Sequence, residues 1–200
     1  VLTYGNTDYF VDTGKYNFVE KDPYRAFIRS VFSHNTISVD NQTYDFRNLL
    51  FVDNPKIEQH GIYENFSFVR ASHTIFPGVE IIRTAVVFNA GAIYLHDQII
   101  SQNWHSYAQI FNIGPEVNFN QTRDGSLELS SMIDDTKVTL KQHSSIDGFD
   151  AFFGSNNPIR GWQSTTFNQV NPINSVYYYK NGQSTSFSTV INMDLEITSV

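Results

Sequence analysis

Short runs with a period of two restrict this chain more than any other feature. Thr36-Ile37-Ser38-Val39-Asp40, Asn65-Phe66-Ser67-Phe68-Val69-Arg70 and Lys137-Val138-Thr139-Leu140-Lys141 alternate apolar with polar residues. Such spacing places one set of side chains on each face of a half-buried strand. Two longer runs, Val79 to Phe88 and Ala92 to Ile100, are rich in β-branched residues and are separated by Asn89-Ala90-Gly91. They read as a hairpin near the centre of a sheet. Turn signals recur at Asp53-Asn54-Pro55, Pro77-Gly78, Arg123-Asp124-Gly125, Asp134-Asp135, Asp147-Gly148, Asn156-Asn157-Pro158, Asn171-Pro172 and Asn181-Gly182, cutting the chain into many short segments. The last recognisable strand, Thr185 to Asn192, is expected to face Ser175 to Lys180 across Asn181-Gly182-Gln183-Ser184. The best helical candidate is Pro23 to Phe32, and its Arg25, Phe27, Ile28, Arg29 and Val31 suit a strand equally well. The expected fold is all-β: a two-layer antiparallel β-sandwich with little or no helix, forming a single domain over residues 1–200.

Composition removes several function classes. Lys and Arg number 13 against 20 Asp and Glu, a formal charge of −7, which disfavours a nucleic-acid surface and leaves no polybasic patch for a membrane. The absence of cysteine removes disulfides, thiolate metal sites and cysteine nucleophiles together. Seventeen Phe and 11 Tyr describe a chain that packs a core. No apolar run reaches the roughly 18 residues of a membrane span, and the opening VLTYGNTDYF does not read as a signal peptide.

Histidines at 34, 60, 73, 96, 105 and 143 form no HxH or HExxH pair, so spacing alone signals no metal site. His34 stands out by its surroundings: it lies beside Asn35 at the entrance to an apolar strand, with Arg29 upstream.

Three motifs in order resemble the heparinase II/III-like polysaccharide lyases, in their C-terminal β-sandwich region. Asp12-Thr13-Gly14-Lys15-Tyr16 is similar to that family's D-P/T-G-x-Y turn, Tyr24-Arg25-Ala26-Phe27-Ile28-Arg29-Ser30 to its approach segment, and Ser33-His34-Asn35-Thr36-Ile37-Ser38-Val39-Asp40 to its H-N-T…V-D strand. The hairpin Val79 to Gln98 extends the likeness, with His96 where the family has an apolar residue; after about Gly114 only strand pattern remains.

The resemblance implies a parent lyase in which an N-terminal helical α/α-toroid and this sandwich form one cleft. There β-elimination breaks the bond beside a uronic acid of an acidic polysaccharide. The chemistry must neutralise the uronate carboxylate, remove the C5 proton and protonate the leaving oxygen. By resemblance Tyr24 is the candidate catalytic residue, with Tyr16 as a competitor, and Arg25, Arg29 and Asn35 are candidate substrate-binding residues. For both arginines an internal carboxylate is an equally good partner. Asp12 and His34 match two ligands of the family's structural zinc, and two donors fall short of a tetrahedral set. Asp12 could equally brace its turn, and His34 could simply bond a sandwich edge. Also implied are an extracellular or periplasmic location and an isolated chain without activity of its own. The alternative is a non-catalytic carbohydrate-binding or structural β-sandwich of an exopolysaccharide system. In that case aromatics such as Trp104, Trp162 and Tyr177 to Tyr179 would offer the contact surface, although core packing is the more ordinary use for them.

Overall fold

The computed structural model of the chain describes residues 1–43 and 55–194. In chain order the strands are β1 (Leu2–Tyr4), β2 (Thr7–Phe10), β3 (Ile37–Val39), β4 (Lys56–Ile62), β5 (Phe66–His73), β6 (Val79–Phe88), β7 (Ala92–Ser101), β8 (His105–Asn112) and β9 (Val117–Gln121). They continue with β10 (Leu127–Ser131), β11 (Lys137–Gln142), β12 (Gly148–Phe153), β13 (Ser155–Asn156), β14 (Ile159–Arg160), β15 (Trp162–Gln163), β16 (Asn171–Pro172), β17 (Asn174–Gly182) and β18 (Thr185–Met193). One helix, α1 (Pro23–Ile28), and a 3-10 turn at Val31–Ser33 lie between β2 and β3.

Two antiparallel sheets make the sandwich. The larger runs β4-β5-β6-β7-β18-β11-β10-β9 and the smaller β12-β17-β8-β3. Alternation sets the inner face of the large sheet: Leu127, Leu129, Val138, Leu140, Phe187 and Ile191 are buried, with more accessible neighbours between them. Ile37, Phe111, Val176 and Tyr178 meet them from the small sheet in one core. The hairpin β1–β2 closes one end. There Tyr9, fully buried, donates its hydroxyl to the Thr136 carbonyl at 2.6 Å.

The outer face of the small sheet is covered as well. Asp22 caps α1, accepting from the Tyr24 and Arg25 amides at 2.8 and 3.3 Å, and Pro23 opens the helix where its missing N–H costs nothing. Local capping thus decides the ambiguous Pro23 to Phe32 segment in favour of helix and 3-10 turn. Phe27, Ile28, Val31 and Phe32 are buried against the sheet. The two-residue strands β13 to β16 fill the rest of this layer.

The hairpin over Val79 to Ile100 forms as expected and sits inside the large sheet, as β6 and β7. Two other expectations change. Asn171-Pro172 is not a turn but β16, paired with Trp162–Gln163. Ser175 to Lys180 and Thr185 to Asn192 do not pair as a hairpin, since β17 bonds β12 and β8 whereas β18 bonds β7 and β11 in the opposite sheet. The Asn181-Gly182 signal is spent elsewhere: Asn181 donates to Asp147, and Gly182 is the last residue of β17, opposite His105. Of the turn signals, Asp53 and Asn54 lie outside the described residues.

Candidate functional site

Two of the sequence motifs converge at one corner of the sandwich. After β2 the chain turns at Asp12-Thr13-Gly14, where the Gly14 amide donates to Asp12 Oδ1 at 3.0 Å. Gly14 has φ +84, and a Cβ there would stand 2.2 Å from the Ser164 carbonyl oxygen, so only glycine fits. The turn aims Asp12 Oδ2 at His34 Nδ1, 2.7 Å away. That hydrogen bond, helped by the Gly14 amide, outweighs partial burial and holds the Asp12 carboxyl below the ordinary carboxylate range.

This pairing has a testable sign. A carboxylate with a depressed pKa contributes stability above its unfolded pKa of about 4, and the contribution fades as pH falls through the folded value. Asp12 is 51% exposed, so the effect on folding is small and the carboxyl titration is the proper measurement. By carbon-13 NMR, Asp12 should titrate below the normal carboxylate range, and His34→Ala should move it upward. Equal midpoints in the two proteins would refute the coupling.

Asn35, next in the H-N-T motif, is tied into the framework. Its amide donates to the Val11 carbonyl at 2.9 Å, its Oδ1 accepts from the Asn112 amide at 2.7 Å, and its carbonyl accepts from Arg83 at 2.6 Å. It staples the β2 exit, β3 and β8 together.

Tyr24, on the first turn of α1, sits in an aromatic cluster. Its ring meets Trp162 edge-on at 5.4 Å and Tyr16 at 5.9 Å, and its hydroxyl donates to Asn156 Oδ1 at 2.8 Å. None of these contacts is with Asp12 or His34. Arg25 and Arg29, one helical turn apart, both reach Glu20, at 3.0 and 3.1 Å, and Arg25 also donates to the Asn17 carbonyl. Glu20 is 71% exposed, and Arg25 with Arg29 keeps its carboxyl below the usual range. Both arginines thus have an internal carboxylate partner in this structure. Arg70 pairs with Glu58 and Arg83 with Asp97, and the β5–β6 register places them on opposite sheet faces, so the four arginines make no common patch.

Asp12 and His34 offer donor types that suit zinc but only two of them, already bonded to each other. Among the described residues no group of three or more His, Asp or Glu gathers to hold a metal. These residues do not fit a zinc site by themselves, and no chemical step is assigned to a metal. Of the aromatics, Tyr177 and Tyr178 are core residues and Trp104 is exposed.

Several site features had no signal in the sequence. Glu20 lies between the turn and helix motifs without belonging to either. Asp40, the end of the V-D motif, accepts from the Ser106 amide at 2.9 Å and lies 2.7 Å from His105 Nδ1. Arg160 approaches the Phe32 ring from a two-residue strand that no local pattern marks.

Among curated proteins nothing matches. The solved structures do match: a heparan sulfate lyase, HepC, from Pedobacter heparinus superposes with a TM-score of 0.78 at 12% identity over 94% of this chain and 29% of the lyase. A heparinase III with methylated lysines gives 0.78 at 16% identity, covering 95% of this chain and 28% of its own. A further heparinase III structure gives 0.73 at 15%, covering 94% and 28%. At such identities the likeness establishes the fold, and the chain spans under a third of the length of each. A family model described as "Heparinase II/III-like, C-terminal" matches residues 1–194, and on that match the chain belongs to the heparinase II/III-like family, as its C-terminal domain.

Proposed function

We propose that this chain is the sandwich part of a polysaccharide lyase that cleaves uronic-acid-containing glycans by β-elimination, and that its partner in the cleft is the parent's helical toroid. The convergence of Asp12-Thr13-Gly14 and His34-Asn35-Thr36 on one hydrogen-bonded pair carries the reading. Two stretches of the family's pattern, 22 residues apart, build a single corner.

Within that reading, Tyr24 is the phenol that exchanges its bond to Asn156 for one to the sugar. A phenol ordinarily has a pKa near 10, so as a base it needs cations in the assembled cleft; Arg25 in α1 and Arg29 at its C-cap are those its own segment supplies. To meet a uronate carboxylate these arginines must leave Glu20 or bind it and the uronate together. Asn35, partly exposed beside His34, is the amide that meets the substrate. Zinc in the parent would require donors beyond Asp12 and His34. Such polymers are met outside the cytoplasm, which fits an extracellular or periplasmic enzyme. Among the described residues no helix is long and apolar enough to cross a membrane.

The test is an unsaturated-uronate absorbance assay over heparan, chondroitin, alginate and hyaluronan types, run on the parent protein and on this chain alone. Product from the parent only is the expected result. Silence from both across the panel would overturn the reading in favour of a non-catalytic carbohydrate-binding sandwich.

A further inference from the structure

The outer face of the small sheet carries a cavity of about 370 Å³, within the range of small-ligand sites. Strand register places Ser38, Asp150, Tyr177 and Tyr179 on this face, and Arg160 and Asn41 close the rim. The Arg160 guanidinium stacks 3.5 Å from the Phe32 ring centroid. It donates to two neutral acceptors, the Ile159 carbonyl at 2.7 Å and Asn41 Oδ1 at 3.0 Å. Arg160 is only 8% exposed, yet among the described residues no carboxylate lies within 4.0 Å of it. Arg25, Arg29, Arg70 and Arg83 all have one.

A buried cation without a counter-ion is costly, and an entering anion offsets that cost. The surroundings suit an anion that carries hydroxyls. Burial raises the pKa of the Tyr177 and Tyr179 hydroxyls, with nearby Asp150 adding to the latter, so at neutral pH both stay protonated; Tyr177 already donates to the Phe32 carbonyl at 3.4 Å, which leaves Tyr179 to face a ligand. The rim is also conformationally unusual: Asp40 and Asn41 have φ of 51° and 52°, a sparsely populated region for non-glycine residues. Both are tied down, Asp40 by His105 and Asn41 by Arg160.

We infer that this cavity binds an acidic sugar, with Arg160 pairing the carboxylate or sulfate oxygens and the tyrosine edge holding the ring. The inference takes its ligand class from the proposed glycan reading, and its site from geometry that does not depend on lyase chemistry. Asp150, exposed at the mouth, is a like charge that weakens anion binding.

The experiment is titration calorimetry on the full protein with methyl glucuronoside, glucose 6-sulfate and neutral methyl glucoside. At least one acidic sugar should bind and methyl glucoside should not; a preference for the carboxylate or the sulfate identifies the source of the anion. Arg160→Gln should weaken that binding at least ~10-fold, the loss expected when a charge-assisted pair is removed. Asp150→Asn should tighten it. Asp150 is exposed, so its variant keeps the test decisive if Arg160→Gln does not fold. Equal binding by Arg160→Gln and wild type, no binding of either acidic sugar at millimolar concentration, or weaker binding by Asp150→Asn would each overturn the assignment. Lyase product from the parent alongside any of these would leave the proposed function standing.

Discussion

Asp97→Ala should destabilise the sandwich by about 3 kcal/mol, the low end of the range for breaking a buried charge pair from one side, because Arg83 is partly exposed. Asp97 is 0% exposed, on the inner face of β7. Its two oxygens take both arms of Arg83, at 2.6 and 2.8 Å, and one also accepts from Gln109 at 2.8 Å. Gln109 belongs to β8, so this bond runs between the layers. Its own Oε1 accepts from Thr189 of β18 at 2.9 Å and from Gln142 of β11. Removing the carboxylate therefore leaves the Arg83 guanidinium, 30% exposed, with the Asn35 carbonyl but no counter-charge, and frees the amide that ties three strands of the large sheet to the small one. Urea denaturation gives the number, with the midpoint falling and the slope unchanged. A cost below about 1 kcal/mol, typical of an exposed ion pair, would sink the claim. The double variant Asp97→Leu with Arg83→Met should recover much of the loss, because no unpaired charge remains.

Tyr24→Phe in the parent protein should lower kcat by about 10²–10⁴, the usual contribution of a positioned acid or base, with KM little changed. Phenylalanine keeps the ring contacts with Trp162 and Tyr16 and loses only the hydrogen bond to Asn156. The structural cost is thus about 0.5–1.5 kcal/mol, too small to unfold the domain. A matched stability with undiminished turnover would remove Tyr24 from the chemistry. In that event Tyr16→Phe becomes the informative variant.

What could be read from sequence was local. The β6–β7 hairpin was legible because a β-branched run needs only its own turn to pair. The D-T-G and H-N-T motifs were legible as types, and the turn at Gly14 brings them together. The β17–β18 pairing was misread because Asn181-Gly182 is a strong hairpin signal in isolation. Core demand overrides it: Phe187 and Ile191 are buried in the large sheet, whereas Tyr177 lies under Phe32 on the far side of the small one. Asn35 and the two arginines were named for chemistry that their side chains could perform. Their partners Val11, Asn112 and Glu20 come from segments with which they share no pattern, so the sequence did not reveal those commitments. Arg160 went unnoticed for the same reason, since the groups that cover it come from the 3-10 turn at Val31–Ser33 and from β3's exit rather than from its own neighbours.

The position of β18 bears on how the domain can be assembled. It is the last described strand, yet it lies between β7 and β11, with β4 to β7 on one side and β9 to β11 on the other. Until residues 185–193 are available, the large sheet exists only as two separate halves, each exposing an unpaired edge. Pairing of β18 with β7 spans some 90 residues, a long-range closure of the kind that slows folding. A nascent chain must therefore keep both edges from pairing with other molecules until β18 has left the ribosome and joins the two halves.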